Sequence, residues 1–258
     1  MADLVKLDSV DLVLTVALMA IAIGLSIWEN LGIALNLAIA TFRTILQLIV
    51  LGYVLEFIFA IDNIWAVLSI LTIMLTISAI VTRNRISQKI PLLLPIIWVS
   101  IFISTSLILV YTNVLIIQPE RWYEPRYLIP LGSILIANGM NAATIAAQKL
   151  VSSINQFPTE IETHLSLGAT PEQAIKKYRQ EAVKAAFMPT LNQMMLIGMV
   201  TIPTFTSGQL LAGVPTLDAV SYNILVMFMV AVVNLITTIF LTKTLYRQFF
   251  NHAMQLVK

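Results

Sequence analysis

Cysteine is absent from the 258 residues, which excludes disulfides and thiolate metal centres. Histidine is nearly absent. His164 and His252 lie in polar stretches rather than apolar runs, so no imidazole set is placed to hold a metal inside the chain. Charge is scarce as well: 11% of residues are Asp, Glu, Lys or Arg, against about a quarter in a soluble domain. The formal net charge of +2 is too small to suggest nucleic acid as a partner. Several motifs are missing. There is no G-x-x-x-x-G-K-[ST], so the chain cannot cradle ATP by that loop, and no G-x-S-x-G, H-E-x-x-H or paired membrane aspartates. An enzyme of the usual intramembrane kinds would lack its parts. The N-terminus also lacks a secretory-signal pattern, since Asp3, Asp8 and Asp11 face a single Lys6 and no polar region follows Ala22.

Apolar residues make up 59% of the chain, and the mean hydropathy is +0.90. About 20 apolar residues cross a hydrocarbon core as a helix. Seven such spans are predicted: Val10–Trp28, Ile33–Phe59, Ile64–Val81, Pro91–Ile117, Leu128–Ala147, Pro189–Ala212 and Ala219–Leu245. With no internal repeat and no long linker, the chain reads as one all-α transmembrane domain, residues 1–258, embedded in a lipid bilayer as a multi-pass protein.

Basic residues orient it. Arg83, Arg85 and Lys89, then Lys149, Lys176, Lys177, Arg179 and Lys184, then Lys243, Arg247 and Lys258 fall on one side, against Lys6, Arg121 and Arg126 on the other. The positive side is cytoplasmic. Seven spans then put the N-terminus outside and the C-terminus inside, in the plasma (inner) membrane if the source is bacterial. Trp122, Tyr123 and Tyr127 suit the outer headgroup level.

One long polar stretch, residues 148–188, interrupts the apolar pattern. Glu160 to Leu167 predicts a short helix with Ile161 and Leu165 on one face. Gly168 is its natural stop, because glycine takes the left-handed backbone that a helix C-terminus favours. Thr170-Pro171-Glu172-Gln173 restarts a helix, with Thr170 as cap, Pro171 at the first position and Gln173 closing a capping box. The pattern is a jointed cytosolic elbow, either an ordered loop or a surface gripped by a soluble partner. The sixth span is irregular at Ile202-Pro203-Thr204-Phe205-Thr206-Ser207-Gly208, either a tolerated kink or a broken helix lining a pathway.

Only one charge lies deep in a span, Arg43, and a charge there costs roughly 3 kcal/mol or more, so it must face protein or a wet cavity. Asn36, Arg43 and Gln47 share a helical face, as do Asn138, Asn141 and Gln148 on the fifth span, where Gly132 and Gly139 permit close approach. The second and fifth spans are therefore expected to meet through these faces. Arg43 either pins the bundle or lines a translocation path. The carboxylates Glu56 and Asp62 are shallow, forming an outer acidic mouth, so a relay through buried acids is not expected. Met188, Met194, Met195 and Met199 cluster at the start of the sixth span, where thioethers suit Cu(I) but more often pack flexibly.

Several stretches resemble the FetB-type ABC permease family of bacterial iron-export permeases and plant aluminium-tolerance proteins. They are ATFRTILQLIVLGYVL (Ala40–Leu55), LGSILIANGMNAATIAAQKL (Leu131–Leu150), ETHLSLGATPEQA (Glu162–Ala174), AAFMPTLNQMMLIGMV (Ala185–Val200) and SGQLLAG (Ser207–Gly213). The run Ile202–Thr206 departs from a Pro-Gly-Met-Met-Thr-like family pattern. The resemblance implies a permease subunit that is not itself an enzyme, served by a separate ABC ATPase subunit that carries ATP and Mg. It implies a homodimer with two ATPase chains. It implies export of metal ions or metal complexes, iron- or aluminium-related, with an anionic small molecule such as a sugar nucleotide as the alternative cargo; a secondary carrier or membrane scaffold is the alternative outside the ABC class. The elbow echoes the coupling loop E-A-A-x-x-x-G: Glu162 and Gly168 keep the spacing, while Thr163 and His164 replace the alanines. On this resemblance Glu160, Glu162, Leu165, Gly168, Ala169, Thr170 and Pro171 are coupling residues, and Gln193 joins Asn36, Arg43, Gln47, Asn138 and Asn141 as a path candidate.

Overall fold

The computed structural model describes residues 8–61, 63–87, 90–251 and 253–256. Among them every long element is helical: α1 Ser9–Trp28, α2 Ala34–Ile61, α3 Ile64–Ile86, α4 Leu93–Thr112, α5 Pro125–Gln156, α6 Pro158–Ser166, α7 Pro171–Leu196, α8 Thr204–Leu211 and α9 Thr216–Leu245. A π-helical turn, Asn113–Ile117, extends α4, and a 3-10 turn, Tyr246–Phe249, extends α9. Among the described residues six helices are long and apolar enough to cross a membrane: α1 to α5, and α9 with its extension.

The expected span Pro189–Ala212 is not a single helix. Its first part belongs to α7, which starts at the elbow and runs through Pro189 to Leu196. A loop follows, with Gly198 at φ +78° and Gly198 N donating to Thr201 O at 3.0 Å. The Leu196 carbonyl accepts from the amides of Met199, Val200 and Thr201, so the loop itself covers the carbonyl freed at the end of α7. Only α8 then resumes. Pro189 therefore sits inside a helix instead of opening one. The fifth span is likewise longer than expected, because helical structure continues through the polar residues 148–156.

Two compact units can be distinguished, and each has its own logic. The first contains α1, α2 and the stretch Leu211–Gly213. Its two helices are joined by a tight turn in which Asn30 (φ 53°) and Gly32 (φ 70°) take left-handed backbone and Leu31 N donates to Ser26 O at 3.0 Å. Almost every apolar side chain of α1 and α2 points outward, as expected of helices hydrophobic all round.

The second unit contains α3 to α7, α8 up to Leu210, and α9. Helix α5 is its axis, touching α3, α4, α6, α7 and α9. The buried face of α5 interleaves small residues, Gly132, Gly139, Ala142, Ala143, Ala146 and Ala147, with larger ones such as Leu128, Leu135 and Leu150. Membrane helices gain little from hydrophobicity alone, so close approach over small residues supplies the packing. A Cβ on Gly132 would lie 2.6 Å from Leu71 Cδ2 on α3, and one on Gly139 would lie 3.5 Å from Thr237 Oγ1 on α9. The core then fills with Leu75 and Ala79, Ile97 and Ile101, Ile175 and Ala182, and Leu241 and Leu245 from the surrounding helices.

A branched side chain at position 132 must push aside the Leu71 side chain and crowd that of Leu109. Gly132→Val is expected to destabilise the protein by about 1–3 kcal/mol through overpacking. Gly24→Ala, with nothing within 4 Å of the added Cβ, is expected to be neutral or slightly stabilising because helical glycine is replaced. Equilibrium unfolding of both variants in one detergent tests the contrast.

Candidate functional site

The elbow is built from local rules. Pro125–Gln156 ends at Phe157, and Pro158 occupies the first position of α6. Helix α6 closes with Gly168 N donating to Leu165 O and Ala169 N to His164 O, both 3.0 Å, and with Gly168 at φ +90°. This pair of bonds is the Schellman closure, and it needs glycine at the left-handed position. Thr170 then caps α7: its hydroxyl accepts from Gln173 N at 3.3 Å, and its own amide donates to Gln173 Oε1 at 2.8 Å. The expected two-helix joint is therefore present at the expected residues.

Ile161 anchors α6, fully buried, with Leu165 half-buried beside it. Phe157 stacks on Tyr178 of α7 at 5.5 Å between ring centres. Glu160 lies 3.8 Å from Lys177, and Glu172 lies 3.1 Å from Arg179; exposed pairs of this kind add little stability, so packing holds the joint. Burial, and then the Glu160 carboxylate beside it, push the Tyr178 phenol up to about 12. What α6 leaves exposed is Glu160, Glu162, Thr163, Ser166 and the tip, with Leu167 81% exposed next to Gly168. Ala169 and Pro171 are half-buried.

A second wall stands beside this tip, and the sequence reading missed it. The chain turns at Asn251–Gln255, where Gln255 N donates to Asn251 Oδ1 at 2.9 Å and Met254 takes φ 59°. Phe250 and Leu256 pack against the core. Between this hook and the elbow lies a groove of about 680 Å³, lined by Glu162, Leu165 and Gly168–Thr170 on one side and Ala253–Leu256 on the other. The apolar pair Phe250 and Leu256 was the available signal.

Buried polar bonds join the membrane helices of this unit. Ser104 on α4 and Thr237 on α9 lie 2.6 Å apart. Asn234 on α9, 3% exposed, donates from Nδ2 to Thr190 Oγ1 on α7 at 2.8 Å. Trp98 Nε1 donates to Thr76 Oγ1 at 3.2 Å, tying α4 to α3. Thr190 directly follows Pro189, so α7 is fastened to α9 at its own weak point. These residues escaped notice because lone Ser, Thr and Asn side chains in apolar runs carry no spacing signal.

The polar stripes occupy open faces within their own units. On α2, Asn36, Arg43 and Gln47 are all exposed, as is Glu56 near its end; Asp62 lies outside the described residues. On α5, Asn141 and Gln148 are exposed and Asn138 is half-buried, returning its amide to Ile134 O at 2.8 Å. Gln148 Nε2 donates to Arg85 O at 2.9 Å. The α5 stripe lies opposite the small-residue face, so Gly132 and Gly139 serve contacts with α3, α4 and α9 instead of the polar stripe, contrary to expectation. On α7, Gln193 is exposed, as are Met188 and Met195, and Met199 is exposed in the loop that follows. Among the described residues no cluster of His, Cys, Asp or Glu could hold a metal.

Six long apolar helices among the described residues define a multi-pass integral membrane protein. The chain belongs to the "Uncharacterised protein family (UPF0014)", whose model matches residues 9–250. It is 48% identical over 254 residues, 98% of each chain, to the UPF0014 membrane protein slr1647 of Synechocystis sp.. It is 30% identical over 248 residues to the probable iron export permease protein FetB of Escherichia coli, covering 96% of this chain and 94% of that one. Protein ALUMINUM SENSITIVE 3 of Arabidopsis thaliana is 29% identical over 244 residues, covering 94% and 87%. No solved structure matches.

The Thr190–Asn234 tie is expected to couple measurably. A double-mutant cycle of Thr190→Val and Asn234→Ala should return an interaction of about 0.6 kcal/mol, and up to about 1.7 kcal/mol, the range found for buried hydrogen bonds between membrane helices. Additive effects on unfolding would show that the bond carries no net stability.

Proposed function

We propose that this chain is the transmembrane subunit of an ATP-binding-cassette transporter, exporting a metal ion or metal complex and driven by a separate ATPase chain that holds ATP and Mg. The elbow carries this reading. It is a rigid two-helix joint with an exposed leucine at its tip, and its second helix continues without interruption into the broken apolar segment. A push on the tip is thereby delivered to the membrane. The iron-export and aluminium-sensitivity names of two relatives support metal as the cargo.

On this reading the end of α7, the loop and α8 together make a seventh, discontinuous crossing, as in transporters whose broken helices line a cavity. The basic residues then face the cytoplasm with the elbow and C-terminus, and the N-terminus is outside. One chain supplies one bundle, so two copies and two ATPase chains complete the assembly. The stripe of α2, the stripe of α5 and Gln193 are each proposed as path residues within their own units, and Glu56, near the end of α2, as an acidic group of the outer mouth.

Arg43 favours a more specific form of cargo, a metal held as an anionic complex, or another anionic small molecule. At an effective dielectric near 20, two unit charges about 4 Å apart interact by roughly 4 kcal/mol, and a trivalent cation would be repelled about three times as strongly.

Gly168→Pro cannot adopt the left-handed backbone, and Glu162→Lys reverses a charge at the tip. Both are expected to insert normally yet lose substrate-stimulated ATP hydrolysis when co-expressed with the ATPase; undiminished coupling in both would remove the elbow from the mechanism. Transport of free ion against its anionic chelate in sealed vesicles tests Arg43. The chelate is expected to be preferred, and Arg43→Gln to abolish the preference. Equal behaviour of the wild type and Arg43→Gln would make Arg43 a structural pin.

A further inference from the structure

The hook beside the elbow is firmly built. Asn251 N donates to Gln255 O at 3.0 Å, Asn251 Nδ2 to Gln255 Oε1 at 3.1 Å, and Met254 N to Asn251 O at 2.9 Å. Phe250 and Leu256 bridge at its base, and the Phe250 ring meets Tyr246 edge-on at 6.4 Å. These contacts hold Met254 at φ 59° with its side chain 60% exposed. Left-handed backbone is uncommon for residues other than glycine, and it persists where the surroundings enforce it. An apolar side chain is thereby presented on the wall of the 680 Å³ groove.

We propose that this groove is a second contact for the ATPase chain. It takes an apolar segment of that chain bearing one basic side chain, which sits against Glu162. The proposal rests on the elbow reading given above and adds the hook to it.

The chemistry of the walls sets what can enter. Several of their polar groups are already engaged: Ser166 Oγ donates to Glu162 O at 2.9 Å, Thr170 Oγ1 accepts from Gln173 N at 3.3 Å, and Gln255 N donates to Asn251 Oδ1 at 2.9 Å. Leu165, Met254 and Leu256 supply apolar surface. Glu162 is the one charged side chain on the walls, and among the described residues its carboxylate has no ion pair. A lone carboxylate beside apolar surface is complemented by a basic group on the occupant.

The occupant is a different chain. A two-fold contact brings the same patch to both sides, so two such grooves would meet hollow to hollow, with Glu162 facing like charge. The groove is also continuous with the elbow tip. Gly168 to Thr170 line it, and Leu167, the exposed residue that the elbow reading sets against the ATPase, directly precedes them.

The full chain is co-expressed in turn with each Walker A ATPase of its source organism, with a benzophenone amino acid at position 167, 254 or 115. Position 115 lies at the opposite end of α4 from the elbow. The same ATPase is expected to cross-link from 167 and from 254, and not from 115. In the purified complex at low salt, Met254→Arg should weaken binding about tenfold, the change that about 1.4 kcal/mol brings, and Met254→Glu should strengthen it. Position 254 is exposed, so neither variant threatens folding. Cross-linking from 167 alone, with both Met254 variants binding as the wild type does, overturns the groove and leaves the elbow reading standing. No ATPase cross-linked from either position overturns both. Equal losses in Met254→Arg and Met254→Glu overturn the basic side chain. An adduct from 254 to a second copy of this chain makes the groove a self-contact and overturns the proposal.

Discussion

Close backbone approach along one face of α5 is the constraint on which the second unit depends. Lipid tails are as apolar as leucine, so these helices cannot be held together by hiding apolar surface from water. They are held by contact density, and contact density needs small residues. Gly132 lets Leu71 reach the α5 backbone, and Gly139 does the same for Thr237 and Val233. The alanines from 142 to 147 continue the groove down to Leu150 and Ile154, where the apolar core becomes the floor of the elbow. One helix thus joins the apolar bundle to the elbow.

The second continuous element is α7. A proline inside a helix removes one hydrogen bond and crowds the preceding turn, which makes position 189 the place where α7 would bend. The Asn234–Thr190 bond, one residue further on, opposes that bend from α9. Asn234 Oδ1 is buried without a partner, so the fastening is incomplete on the acceptor side.

Polar groups within the spans divide into two kinds. Ser100, Ser104, Thr238 and Thr242 return their hydroxyls to carbonyls of the preceding turn and disappear into the packing. Asn36, Arg43, Gln47 and Asn141 do not; they stand on open faces, where hydrocarbon would be an unfavourable neighbour. That contrast separates side chains taken up by the packing from those left open on their helices.

The chain alone determined whatever depends on neighbours a few residues apart. The six long apolar helices follow from uninterrupted hydropathy, and the elbow joint from Gly168, Thr170, Pro171 and Gln173, whose bonds all close within six residues. The stripes of α2 and α5 follow from helical period. Tertiary structure decided the rest. It carried α7 through Pro189, where a proline signalled a start; it turned Gly132 and Gly139 toward α3, α4 and α9; it paired Ser104 with Thr237 across 133 positions; and it brought the hook at Asn251–Leu256 beside the elbow tip. These outcomes depend on which distant surfaces fit. Fit is a property of side chains meeting in space, and no spacing along the chain records it.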